Sequence, residues 1–152
     1  MSIKKANKHQ VNWQKWHDGI KKELKQLLSV GVELEKMHHI GAEQPWGHLD
    51  SYKPDVKWRK DSRLYFFEAE YWYEQEKIIA DILYAALLGA NHLVFIFGNE
   101  EYQGWDGRKR AQASEYLFEQ LQNKTQNLPI VNCTFVDNIE ELEQKLKEIG
   151  VL

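Results

Sequence analysis

The pattern of apolar and polar positions changes period several times along the chain, and each change marks an element. Trp13, Trp16, Ile20, Leu24, Leu27 and Leu28 recur at three- and four-residue steps, so residues 11–29 read as an amphipathic helix that Gly31 stops. Residues 1–10 are polar and lysine-rich and are expected to fray. Residues 32–40 alternate loosely and predict a strand, followed by a loop over 41–53 with Pro45 and Gly47. A strand over 55–59, a turn at Lys60-Asp61-Ser62 and a second strand over 63–71 come next. On that second strand Leu64, Phe66, Glu68 and Glu70 share one face, and Tyr65, Phe67 and Ala69 the other. Apolar residues on both faces predict a central strand covered on both sides.

The rest of the chain reads as alternating helices and strands. Helices are predicted over 74–88, ended by Gly89, and over 108–123; strands over 92–97 and 129–136. Asp137 is placed to cap a last helix, with Glu140 at its third position and Ile139, Leu142, Leu146 and Ile149 as its stripe. The order α-β-β-β-α-β-α-β-α predicts one α/β domain over residues 1–152, with a mixed sheet between helices.

Composition narrows the classes. The 152 residues suit a single core, and 43% apolar residues exclude a disordered chain. The longest apolar run, residues 78–88, is interrupted by Asp81 and Tyr84, so no membrane span or membrane partner is expected. The N-terminus lacks the apolar segment of a secretory signal. Cys133 is the only cysteine, which rules out an internal disulfide and a thiolate zinc cage and fits the reducing cytoplasm. Charge is uneven: 13 Lys and Arg face 8 Asp and Glu through residue 63, and 7 face 15 beyond it. A net charge of −3 argues against a protein that coats nucleic acid without specificity. A basic half beside an acidic one suits a nucleic-acid enzyme whose carboxylates hold metal.

The chemistry concentrates in Pro54-Asp55 and Glu68-Ala69-Glu70. Glu68 and Glu70 point to one face, and pairing of the two strands brings Asp55 toward it. Three converging carboxylates repel one another unless a cation joins them, and a hard divalent cation suits oxygen donors. Such a site favours hydrolysis of a phosphate ester, since one cation can polarise the phosphate, activate water and stabilise the leaving oxygen.

This order of elements, with Pro54-Asp55 on the second strand and Glu68-Ala69-Glu70 on the third, resembles the PD-(D/E)xK nuclease superfamily of restriction-endonuclease-like fold. The resemblance covers residues 13–97. It implies Mg²⁺ or Mn²⁺ held by Asp55 and Glu68, with the Ala69 carbonyl as a further ligand. The last motif position, usually lysine, is Glu70 here, which would accept a proton from water or hold a second cation. The resemblance also suggests a supporting Gln75 on the helix after the third strand and a metal-supporting Glu23 on the first helix. Lys77 is the weaker candidate for a displaced motif lysine, because the apolar face drawn through Gln75, Ile78, Ile82 and Ala86 leaves it on the opposite side.

Lys53, Lys57, Arg59, Lys60 and Arg63 are expected to contact nucleic-acid phosphates, with Trp46, Tyr52 and Trp58 interleaved for stacking. The loop from Gly98 to Arg110 carries three glycines, which suggest mobility, and with Trp105, Arg108, Lys109 and Arg110 it could clamp a substrate, though it reads first as a plain surface loop. His38, His39 and His48 match no metal-binding spacing. The expected function is a Mg²⁺- or Mn²⁺-dependent endonuclease acting on DNA rather than RNA, compatible with a homodimer. The alternative is an inactive relative that binds nucleic acid or a protein partner, favoured by Glu70 and the acidic second half.

Overall fold

A computed structural model describes residues 2–40, 45, 51–125 and 131–152; Trp46, His48 and residues 129–130 lie outside them. In chain order its elements are α1 (Ser2–Leu28), β1 (Val32–Leu34), β2 (His38–His39), β3 (Ser51–Tyr52), β4 (Val56–Lys60), β5 (Arg63–Glu70), α2 (Gln75–Leu87), β6 (His92–Phe97), α3 (Gly107–Lys124), β7 (Asn132–Val136) and α4 (Ile139–Glu148). The main sheet runs β1-β4-β5-β6-β7. Its first three strands are antiparallel, and β5, β6 and β7 are parallel. The result is a mixed α/β fold, and no helix among the described residues is long and apolar enough to cross a membrane.

The β4–β5 hairpin sets the geometry of everything that follows. Asp61 and Ser62 form its turn with φ of 52° and 66°. Two successive left-handed residues match the twist of the flanking strands and fix their register. Val56 lies opposite Phe67 and Lys60 opposite Arg63. Continuing that register one residue outward brings Asp55 beside Glu68. Behind the hairpin, Gly31 (φ +85°) crosses so close to β4 that a Cβ would stand 2.7 Å from the Arg59 carbonyl oxygen.

Both faces of the sheet are buried, as the sequence of β5 predicts. Val56, Trp58, Tyr65, Phe67, Val94 and Ile96 pack against Ile20, Leu24 and Leu28 of α1 and Leu142 and Leu146 of α4. Leu64, Phe66, Leu93, Phe95 and Phe97 pack against Ile78 and Ile82 of α2 and Ala111 and Phe118 of α3. Burial of each large apolar side chain contributes about 1.5–3 kcal/mol.

Several expectations are corrected. The first helix reaches back to Ser2, through a segment free of proline and glycine whose Lys, Ala and Gln residues favour helix. The strand predicted over 32–40 splits, because Glu35 takes a left-handed φ of 49°. Its second piece, β2, leaves the main sheet and pairs with β3. β4 starts at Val56, so Asp55 stands just ahead of it. Asn138, not Asp137, caps α4, its side chain accepting from the Glu141 N–H at 2.7 Å. Ile149, expected in the stripe of that helix, follows it instead and is 56% exposed, outside the buried stripe.

Candidate functional site

Asp55 and Glu68 meet at the open end of the hairpin. The Asp55 N–H donates to Glu68 Oε1 at 2.9 Å, and the Ala69 N–H donates to Asp55 Oδ2 at 2.7 Å. The other Asp55 oxygen lies 2.9 Å from His17 Nε2. His17 reaches it because His17, Ile20, Leu24 and Leu28 share the buried line of α1 at helical spacing. Its ring stacks on Trp13, and its Nδ1 is buried without a hydrogen-bond partner among the described residues.

A second group begins at Glu68. Lys77 Nζ lies 3.3 Å from Glu68 Oε2, 2.9 Å from Asp81 Oδ2, and in close contact with Glu70 Oε1. Glu68, Glu70 and Asp81 are all buried. The Lys77 side chain as a whole is 42% exposed, although its ammonium sits among the three acids. Burial raises Glu68 well above the ordinary carboxylate range, helped by the charges on Asp55 and Asp81. Burial pushes Glu70 up to about 7 against the opposing pull of Lys77. Asp81 is raised by burial too. For Lys77, burial works to lower the pKa, but the surrounding carboxylates outweigh it and raise it.

These directions give a pH prediction. Each of the three carboxyls binds its proton more tightly in the folded state, so stability is greatest in acid and falls as pH rises. For Glu70 the window runs from the ordinary 4.5 to about 7. The loss across it is on the order of 3 kcal/mol at most, at about 1.4 kcal/mol per unit. Lys77 adds no slope here, since a raised lysine loses its contribution only at alkaline pH. Urea unfolding between pH 4.5 and 8 is expected to show falling stability, and Glu70→Gln to flatten that fall. Stability that rises across the window would mean the acids are held ionised.

The predicted triad is therefore divided. His17, Glu35 and Asp55 form one set, and Glu68, Glu70 and Asp81 another; within each, one ligand atom per residue lies within 4.8 Å of the others. In the first set Glu35 is already paired with Lys21, 2.5 Å away. Asp55 and Glu68 remain linked through the backbone contacts at the hairpin end. Their all-oxygen donor chemistry fits a hard divalent cation. Asp55, at 18% side-chain exposure, gives such an ion a path from solvent.

Other sequence candidates fall elsewhere. Glu23 is exposed, one residue step off the buried line of α1, and His17 takes the position toward Asp55 that was expected of it. Gln75 is exposed and accepts from the Tyr73 hydroxyl at 3.2 Å rather than facing Glu70. The buried face of α2 is Ile78, Asp81, Ile82 and Ala85. That face is rotated from the predicted one by about half a residue step, at 100° per residue. The rotation moves Lys77 from the far side to the flank and carries it to the acids. Asp81 was invisible as a site residue because a polar side chain on an apolar stripe reads as a break in it.

Only part of the basic run lies near the acids: after the Lys21 hydrogen bond, the charge on Lys53 helps hold the Glu35 carboxyl below its ordinary range. Lys60 and Arg63 pair at the turn of the hairpin, whereas Asp55 and Glu68 lie at its other end. Five residues of strand from Arg63 to Glu68 span roughly 16 Å. Lys57 is buried at 7% exposure. Lys60 donates to the Val151 carbonyl at 2.7 Å and lies over the Trp58 ring. Lys53, Arg59 and Arg63 are exposed. Trp58 and Tyr52 are core residues, and His38 packs on Phe66.

Comparison of the chain with family models, with curated proteins and with solved structures returned no match.

Proposed function

We propose that this protein is a Mg²⁺- or Mn²⁺-dependent endonuclease of restriction-endonuclease-like fold that hydrolyses phosphodiester bonds, with DNA as the favoured substrate over RNA. The observation that carries the reading is the ammonium of Lys77, brought by α2 to Glu68 and Glu70 beside Asp55. The sequence lacks the motif lysine at position 70; Lys77 supplies a lysine charge to the same acids from the next helix. Asp55 and Glu68 would hold the cation, whose chemistry when bound is Lewis-acid polarisation of the phosphate. Lys77 offers fixed positive charge toward the attacking water and the phosphate oxygens. Glu70, pushed up to about 7, titrates where a general base is effective at neutral pH. His17, bound to the outer oxygen of Asp55, orients that carboxylate.

A second reading is an inactive domain that binds nucleic acid. It is favoured by the same contact, since Lys77 already neutralises buried acids that a cation would otherwise join. Titration calorimetry with Mg²⁺ and Mn²⁺, followed by a cleavage screen on linear, supercoiled, branched and single-stranded DNA and on RNA, separates the two. Metal binding with cleavage of at least one form is the expected result. No heat and no cleavage of any form would leave the inactive domain.

A further inference from the structure

Immediately beyond Glu70 the chain enters a cleft walled by aromatic rings. Trp72, Tyr73, Tyr102, Gln103, Trp105 and Arg110 line a volume of about 590 Å³, within the roughly 300–1,000 Å³ typical of small-molecule clefts. Trp72 and Tyr73 come from the segment after β5, Tyr102 and Trp105 from the loop after β6. The two segments meet ring to ring, Trp72 with Tyr102 at 5.4 Å and Tyr73 with Trp105 at 5.2 Å between centroids.

The walls are built in advance. Tyr102 and Trp105 exchange backbone hydrogen bonds of 2.9 and 3.0 Å around Gln103 and Gly104, both left-handed. Arg110, 1% exposed, donates to the carbonyls of Gly98 at 2.6 Å and Trp105 at 3.0 Å, and also to that of Glu100. Its guanidinium carbon stands 4.9 Å from the Trp72 ring centroid. Gly98 passes so near Tyr71 that a Cβ would lie 2.6 Å from the ring. A segment that its glycines suggest is mobile is in fact pinned by a buried arginine.

We propose that this cleft binds an unpaired nucleobase of the strand on which the acids act, so that the substrate is single-stranded or locally opened nucleic acid. The proposal rests on the nuclease reading above and names its substrate class. Aromatic walls accept the face of any base, and the Gln103 amide can donate to and accept from a base edge. The cleft adjoins the acids: Trp72 follows Glu70 by two residues, at most about 7 Å of chain. It also opens at the carboxyl ends of the parallel strands β5 and β6, where open α/β sheets take their ligands.

The test uses the full chain in EDTA, so that binding is read without metal-dependent cleavage. A labelled oligothymidine, an abasic strand of equal length and the corresponding duplex are compared by fluorescence anisotropy. Oligothymidine is expected to bind about tenfold or more tighter than the abasic strand. Trp105→Ala should erase most of that advantage, and Trp105→Phe should keep it. Tyr102→Ala, at a 53% exposed ring, provides a second loss on a folded protein, checked by circular dichroism. Equal affinity for abasic and base-bearing strands overturns the proposal. So does direct binding of a labelled proline-rich peptide where no oligonucleotide binds, which would assign the cleft to a protein partner. Base-dependent binding without later cleavage in Mg²⁺ or Mn²⁺ upholds the cleft and counts against the nuclease alone.

Discussion

Lys77→Met is expected to destabilise the protein by roughly 2–4 kcal/mol at pH 8, discounted from the roughly 3–5 kcal/mol of a fully buried ion pair because the lysine side chain is 42% exposed. For a chain of this size that corresponds to a fall in Tm of about 5–15 °C. Three buried carboxylates lose their common cation, and their pKa values, already raised by burial, rise further. The folded state then holds its protons to higher pH than the unfolded state does. The cost of the substitution must therefore shrink toward pH 5 and grow with alkalinity. Mg²⁺ or Mn²⁺ should restore part of the loss, because Glu68, Glu70 and Asp81 then lack a cation and a divalent ion suits them. On the nuclease reading, cleavage should fall by about two orders of magnitude or more, since the fixed charge that this reading assigns to the phosphate is removed. Thermal melts across pH with and without divalent ions, beside a cleavage assay, check each part. A variant as stable as the wild type at pH 8 would mean that the ammonium does not hold the acids.

Much of the frame was legible because it is written in periodicity. The doubly apolar alternation of residues 63–70 announces a strand buried on both faces, and β5 is that strand at the centre of the sheet. The β4–β5 pairing follows from two β-rich runs separated by the short turn expected at Lys60-Asp61-Ser62, which the structure narrows to Asp61 and Ser62, Lys60 joining β4. What periodicity cannot supply is the rotation of a helix about its own axis. A stripe containing a buried Asp81 reads as narrower and differently centred than it is, and this displaced Lys77 and Gln75 together. An i,i+4 pair of Lys77 and Asp81 beside the strand-end acids was the available signal.

The basic run is spread along the hairpin for a different reason. Nearness in sequence is not nearness in space: strands are extended, and five residues carry Arg63 away from Glu68 to the opposite end of the hairpin. His17 was likewise missed because a lone histidine on an apolar helix face carries no motif; only the fold brings it to Asp55. The Trp105 to Arg110 segment looked like surface because its glycines and charges are those of a loop. Its order comes from Arg110, whose carbonyl partners are set by backbone path and not by residue type.

Asp55→Asn and Glu68→Gln are expected to abolish metal binding seen by calorimetry and to lower cleavage by about a thousandfold, the effect of losing some 4 kcal/mol of charge stabilisation at the phosphate. The fold should survive the first change. The remaining amide oxygen can accept from the Ala69 N–H, as Asp55 Oδ2 does at 2.7 Å, and the new NH₂ then faces His17 Nε2, which in one tautomer is an acceptor. Glu68→Gln keeps an oxygen for the Asp55 N–H and removes a charge whose ionisation burial already opposes. Neither variant should shift the melting temperature as far as Lys77→Met, so loss of activity is separable from loss of structure. The screen must include branched and single-stranded substrates as well as linear and supercoiled duplex, since a narrow preference would otherwise read as inactivity. Metal-dependent cleavage that persists in both variants would place the chemistry away from the hairpin end. Loss of cleavage with metal affinity unchanged would move the ion from Asp55 and Glu68 to other ligands and leave these two acids to act on water or substrate directly.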